Sequence, residues 1–216
     1  MLIGFVGTIG SGKGTAGKIL AERGFLTESF AAPLKDVVAN LFGWRRDLLE
    51  GDTERSREFR ETIDPWWSER FGRDITPRLM LQIVGTESMR MCIHDDFWIA
   101  CLEKRISERI KDGIDYVITD VRFPNEIDAI HRMGGKVIEI HRGDPPNWYY
   151  QAVMYNNKQT DIRPDKHYSE WAWMGYKIDY TITNNGSLED LESDVVLMLE
   201  SLEPEKSFLT SLETSV

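Results

Sequence analysis

LIGFVGTIGSGKGTAGKILAER, residues 2–23, is the stretch that decides how the chain folds. Leu2 to Val6 is a short apolar run of strand type. Gly7 begins a glycine-rich turn that runs through Gly10, Gly12 and Gly14. Lys13 to Arg23 then reads as a helix, with Ala16, Ile19 and Leu20 on its apolar face and Gly24 as its stop. Strand, glycine turn and helix in this order are the setting that a phosphate-binding loop requires. The glycines let backbone N–H groups curl around phosphate oxygens, and the helix N-terminus adds partial positive charge. Gly10, Ser11, Gly12, Lys13, Gly14 and Thr15 are therefore the expected contacts of a nucleoside triphosphate, with Lys13 on the outer phosphates.

Outward from this loop, strands and helices alternate. Phe25–Phe30 is a second strand and Pro33–Phe42 a helix carrying Leu34, Val37, Val38 and Leu41. Residues 44–73 are charged and aromatic, and read as short helices. Thr76 and Pro77 open the next helix, Thr as N-cap and Pro in the first turn. Asp95 and Asp96 precede another, with Ile99, Leu102, Ile106 and Ile110 at helical spacing. Asp115–Asp120 is a strand, Asn125–Met133 a helix, Lys136–His141 a strand and Tyr180–Thr183 the last strand. Ser187 begins a final helix through Leu202. The alternation predicts an α/β fold: a three-layer α/β/α P-loop domain over residues 1–202 with a mostly parallel, five-stranded sheet. Two stretches break the rhythm and read as insertions over one edge of that sheet. One is helical, about 44–94, and would bind the phosphoryl acceptor. The other, about 142–177, is lid-like. Residues 203–216 read as a polar C-terminal tail.

The composition is that of a globular chain: 216 residues, 41% hydrophobic and 29% charged. The net charge of −10 argues against a broad nucleic-acid surface, which needs clustered positive charge. No stable nucleic-acid partner is expected. Cys92 and Cys101 are too few for a disulfide scaffold and lack metal-finger spacing. No apolar run approaches a membrane span, and the apolar N-terminus lacks a basic leader, so a cytoplasmic protein without membrane contact is expected. The aromatic surplus raises a homodimer as an expectation.

Three further groups of residues bear on chemistry. Asp120 follows a strand whose carboxyl end is where open α/β sheets bind ligands. It is read as a Mg²⁺ contact together with Thr15, or as a cap for the next helix. Arg122 would pair with an acceptor phosphate, or else with Glu126. Asn125 contacts the substrate or caps the helix that it opens. Arg78, Gln82 and Thr86 stand four apart on one helical face, suited to a nucleotide's phosphate and base edge, or simply a solvated face. In 142–177, Arg142, Lys158, Arg163, Lys166 and His167 cluster among tyrosines and tryptophans. They make either a lid, with Arg142 and Arg163 closing on the transferring phosphoryl group, or a rigid aromatic loop packed on the domain. Trp44, Trp66, Trp67 and Trp98 are candidates for stacking a base or for core positions.

GSGKGT resembles the glycine-after-lysine form of the phosphate loop found in adenylate kinase and its relatives. Neither a GTPase's base-reading NKxD nor the apolar run ending in Asp-Glu of an ATPase motor is present. The chain as a whole resembles the bacteriophage deoxynucleoside monophosphate kinases, within the wider nucleoside-monophosphate and dephospho-coenzyme A kinase group. The resemblance rests on GTIGSGKGTA at 7–16, SFAAPLK at 29–35, TPRLMLQIVGTE at 76–87, DDFWI at 95–99 and ITDVRFPNE at 118–126. It continues through His167–Glu170 and the TITNNGSLEDL block ending at residue 191. The group often carries an acid before the proline of the second block, where this chain has Ala32. The resemblance implies Mg²⁺-dependent transfer of the ATP γ-phosphate to a deoxynucleoside 5′-monophosphate (dNMP) in the cytoplasm of an infected host. Lys13, Arg142 and Arg163 would be catalytic. Phe30, Lys35, Arg78, Gln82, Thr86, Asp120, Arg122 and Asn125 would bind the acceptor. Another acceptor, such as dephospho-coenzyme A or a modified base in DNA, and a nucleotide-binding regulatory module without transfer, stay open on the sequence.

Overall fold

The structure, a computed structural model, describes residues 1–202. The expected tail, 203–216, lies outside the described residues. Five strands form one sheet: β1 (Leu2–Val6), β2 (Leu26–Glu28), β3 (Tyr116–Ile118), β4 (Lys136–His141) and β5 (Tyr180–Thr183). Their order is β2-β3-β1-β4-β5, and every pairing is parallel. β1 lies at the centre, with Leu2 opposite Tyr116 on one side and Ile3 opposite Lys136 on the other. All five of its residues are buried, as a strand covered on both faces requires.

Nine helices surround the sheet among the described residues. They are α1 (Lys13–Glu22), α2 (Ala32–Phe42), α3 (Glu54–Glu61), α4 (Pro65–Phe71), α5 (Pro77–Gln82), α6 (Phe97–Lys111), α7 (Pro124–Arg132), α8 (Tyr149–Asn156) and α9 (Leu188–Leu202). Alternate side chains of the strands serve opposite layers. Ile3, Phe5, Ile138 and Ile140 pack against α1 and α9 through Ile19, Leu20, Val195 and Met198. Leu2, Val6, Tyr116, Ile118 and Val137 pack against α6 and α7 through Leu102, Ile106, Ile127 and Ile130. Gly4 faces α7 closely enough that a Cβ would stand 2.3 Å from Ile130 Cδ1.

Two strands are shorter than expected: β3, expected over Asp115–Asp120, spans Tyr116–Ile118, and the edge strand β2 shortens as well. Phe25–Phe30 contracts to Leu26–Glu28 because the backbone N–H groups of Phe30 and Ala31 turn to the Asp120 carboxylate instead of the sheet. The two insertions also differ from expectation in place. Residues 44–94 follow the strand at one lateral edge, β2, whereas 142–177 join β4 to the opposite edge strand, β5. They share no lateral edge. They meet instead over the carboxyl ends of the strands, where Gly51, Asp52 and Arg57 share one cavity with Arg142 and the phosphate loop.

The helical insertion has a core of its own. Val38 and Ala39 of α2 pack with Leu49, Ile75, Met80 and Leu81. Phe42 stacks on Trp44 at 4.6 Å, the Trp44 indole N–H donates to Asp64 at 2.7 Å, and that of Trp67 to Phe42 O at 3.0 Å. Trp44 and Trp67 are thus core residues of the insertion. Within 142–177, Trp171, Trp173 and Met174 are buried in the α6–α7 layer along with Ala152 of α8, a helix the aperiodic sequence did not announce. Much of the lid-like stretch is therefore packed on the domain.

Candidate active site

The phosphate loop links β1 to α1 at the centre of the sheet, where β1 has neighbours reached by opposite crossovers. Two glycines are required by space as well as by dihedral angle. Gly7 has φ 146°, and a Cβ there would lie 2.1 Å from Ile140 O. Gly12 has φ 109°, and its Cβ would lie 2.3 Å from Asn184 Nδ2. Asn184, just past β5, donates that Nδ2 to Ser11 O at 2.9 Å and its own N–H to His141 O at 2.8 Å. The loop is so fastened to the end of the sheet. Lys13 Nζ donates to Gly7 O at 2.7 Å and Thr8 O at 2.8 Å, folding the ammonium over its own loop. Burial, with the Arg122 guanidinium nearby, pulls its pKa from the ordinary lysine range down to about 8.

A cavity of about 620 Å³ opens over the loop. Gly10, Gly12, Lys13, Gly14 and Thr15 line it as expected, and so does Arg142. Ser11 does not: it is 1% exposed and faces inward, its hydroxyl without a partner among the described residues. Asn184, Ser187 and Leu191 supply a wall that the sequence reading did not assign.

A second cavity, about 580 Å³, lies between α2, the helical insertion and the end of β3. Lys35, Asp120 and Arg122 line it, as expected of acceptor contacts. Lys35 is paired with Glu50 at 2.5 Å. Arg60, from α3, lines it too and was missed by the sequence reading. Its Nε is buried with no partner among the described residues. Burial, then the Arg78 and Arg122 guanidiniums, lower its pKa. Arg60 and Arg122 therefore line one cavity, with Arg78 near Arg60 but outside the lining and paired with Glu61; the Glu28, Glu50 and Asp120 carboxylates line the cavity too, and Arg60 Nη1 stands 3.4 Å from Glu50 O. Guanidiniums so placed are suited to an anion.

Beyond Arg122 a third cavity, about 270 Å³, joins Lys13 and Arg122 to Trp148, Ser169 and Glu170 of the 142–177 segment. A fourth, about 140 Å³, is walled by Phe30, Leu34, Thr86 and Trp98, with Arg90 and Glu126 at its polar side. Phe30 and Thr86 thus line one cavity together with Arg122.

Several expected roles meet a different geometry. Gln82 is exposed and lines none of these cavities. The helix that was expected to run on from Thr76 turns π-helical over Ile83–Arg90. Leu81, Gly85, Thr86 and Arg90 line one wall there, while Arg78 and Gln82 of the expected face line none of the cavities. Asn125 is held away, donating to Asp96 Oδ1 at 2.8 Å. Arg163 lines none of these cavities; its guanidinium stands 5.6 Å from the ring centre of buried Trp171. Asp120, read as a metal contact, accepts from Ser29 Oγ at 2.6 Å, Ala31 N at 3.1 Å and Phe30 N at 3.2 Å. Its carboxylate is engaged in shaping residues 29–31. The Arg122 side chain does not pair with Glu126. Glu126 bonds the Arg122 backbone N–H at 2.8 Å and pairs with Arg90 instead, also at 2.8 Å.

A glycine loop at a helix N-terminus thus stands close to a cavity lined by Arg60 and Arg122, and the sequence comparisons point to one family. A protein of Acanthamoeba polyphaga mimivirus, provisionally named deoxynucleotide monophosphate kinase, is 31% identical over 216 residues, covering 93% of this chain and 97% of its own. The deoxynucleoside-5′-monophosphate kinase of Escherichia phage T5 is 30% identical over 177 residues, covering 58% of this chain and 70% of its own. Among solved structures, dephospho-CoA kinase from Campylobacter jejuni aligns over 93% of this chain and 96% of its own, at 16% identity and a TM-score of 0.48, a likeness too loose to bear on activity. The sequence model of the deoxynucleotide monophosphate kinases matches residues 69–195, more than half of the chain, from the arginine-bearing insertion to α9; the chain belongs to that family.

Proposed function

We propose that the protein transfers the γ-phosphoryl group of ATP to a deoxynucleoside 5′-monophosphate, giving the diphosphate. The observation that carries this reading is the adjacency of Lys13, in the donor cavity, to Arg122, in the acceptor cavities. The acceptor phosphate is an anion that needs no protein base near neutral pH. The barrier lies in bringing two anions together, and it falls by positioning and charge neutralisation. Lys13 neutralises the outer phosphates of ATP. Arg60 and Arg122 hold the acceptor phosphate, whereas Arg78 lines none of the cavities and is paired with Glu61. Arg142, on the rim of the donor cavity, adds charge as the phosphoryl group moves.

Among the described residues no group of three or more His, Cys, Asp or Glu side chains is placed to hold a metal ion. A magnesium ion that arrives with the nucleotide keeps part of its water shell. Thr15, exposed in the donor cavity, fits as the residue that would hold Mg²⁺; when bound, the ion neutralises charge on the outer phosphates. Among the described residues no helix is long and apolar enough to cross a membrane.

The test is an assay with ATP and Mg²⁺ against all deoxy- and ribonucleoside monophosphates and dephospho-coenzyme A. Turnover on at least one dNMP is expected; turnover on none overturns the reading. Lys13→Ala should lower kcat by more than tenfold, about 1.4 kcal/mol. The melting temperature should change little, because Lys13 bonds only to its own loop.

A further inference from the structure

β4 presents two polar side chains that phosphoryl transfer leaves unused. Ile138 and Ile140 pack towards α1 and α9, so Glu139 and His141 point to the opposite face of the sheet. There, with Tyr149 and Tyr150 of α8, they line a separate cavity of about 260 Å³. Glu139 is half-buried. Among the described residues its carboxylate has one hydrogen bond, a long one of 3.3 Å from the Tyr149 hydroxyl, and no ion pair. Burial raises its pKa above the ordinary carboxylate range, against the pull of His141 and of that hydroxyl. A carboxylate withdrawn from water without a cation is costly, and a cation brought to it relieves the cost. His141 Nε2 stands 3.0 Å from Thr183 Oγ1, and its Nδ1 is buried with no partner among the described residues. In the tautomer that donates from Nε2 to Thr183, Nδ1 is a second acceptor that lacks a donor.

The walls of this cavity are aromatic and prolyl. Trp173 is buried, and the Tyr149 ring lies 6.3 Å from it and 5.6 Å from the ring of Tyr150. Pro145 and Pro146 line it too, as does a second acid, the exposed Asp144. The one guanidinium on the lining, Arg142, is shared with the donor cavity. Carboxylates and aromatic faces attract an ammonium group, and apolar walls accept methylenes. An acid within, an acid at the exposed side and rings between them suit a molecule with a cation at each end and a short apolar middle.

We propose that this cavity binds a short aliphatic diamine, with one ammonium on Glu139 and His141, the other on Asp144, and the methylene chain against Tyr149, Tyr150 and Trp173. It shares no lining residue with the cavities of Lys35 and of Phe30, so its occupancy is separate from the kinase reading. The experiment is isothermal titration calorimetry of the full chain with 1,4-diaminobutane, 1-aminobutane and 1,4-butanediol at constant ionic strength. The wild type, Glu139→Gln and Asp144→Asn are compared, with thermal melts to show that each is folded. Glutamine keeps the size of Glu139 and an acceptor for Tyr149 but removes the charge. The wild type should bind one diamine per chain with a Kd below about 1 mM, at least tenfold tighter than the monoamine, and should not bind the diol. Glu139→Gln should weaken the diamine at least tenfold, and Asp144→Asn should bring its affinity down to that of the monoamine. No saturable binding to the wild type, equal affinity for diamine and diol, or unchanged affinity in folded Glu139→Gln overturns the assignment. Asp144 is exposed, so Asp144→Asn keeps the test decisive where Glu139→Gln does not fold: unchanged diamine affinity there overturns it as well.

Discussion

Arg60 shows how a single side chain acquires a role from its surroundings. In the sequence it is one of several arginines in a charged helix. In the structure its Nε is buried without a partner among the described residues, and two further guanidiniums depress its pKa. Arg60→Gln should raise the KM for the dNMP at least tenfold, leave that for ATP within about twofold, and raise the melting temperature or leave it unchanged, since like-charge repulsion is relieved. Initial-rate kinetics and thermal melts check all three. Glu126 makes the complementary case. Burial first, then the Asp120 carboxylate, push its pKa up to about 7, against the pull of Arg90 and two backbone N–H groups. A folded-state pKa above the unfolded value means that the folded protein binds the extra proton between roughly pH 4.5 and 7. The stability that this contributes is present at the acid end and lost as pH rises through 7. Denaturant midpoints should therefore fall from pH 5 to pH 8 more steeply in the wild type than in Glu126→Gln; parallel slopes would contradict this.

At the scale of elements, the phosphate loop works because the last strand holds it. Asn184 is distant from the loop in sequence, yet its amide closes the Ser11 carbonyl, and its side chain occupies the space that a Cβ on Gly12 would need. Asn184→Ala leaves a buried carbonyl unpaired, a loss of about 1–3 kcal/mol of stability. It should raise the KM for ATP severalfold and leave that for the acceptor nearly unchanged, as urea denaturation and initial-rate kinetics would show. The π-helical turn over Ile83–Arg90 is a second positioning device. TPRLMLQIVGTE fits an α-helical period, which is why Gln82 was expected at the site. Arg90 lines the cavity there instead, and no spacing rule in the sequence marks where the change of pitch occurs.

For the whole molecule, the segment between β4 and β5 matters most. Trp171 is fully buried in the same layer as α6 and α7, so the 142–177 segment and the sheet share one core. Trp171→Ala should cost about 3–5 kcal/mol and lower the melting temperature of the whole domain in one transition, by calorimetry or circular dichroism. A separate low-temperature transition for this segment alone would show that it folds as its own unit. The charge of −10 is likewise a whole-molecule property, and it coexists with a local gathering of Arg60, Arg78, Arg122 and Lys13. Contiguous features were legible in the sequence by themselves: the phosphate loop, the alternation of strands and helices, and the parallel sheet. Glycine placement and hydrophobic period act over a few neighbouring residues, so the chain states them directly. Which arginine lines the cavity with its Nε buried and unbonded, which glutamate is buried, and where a helix changes pitch were decided only by the tertiary structure. Burial and charge pairing depend on residues tens of positions apart, and folding alone brings those together.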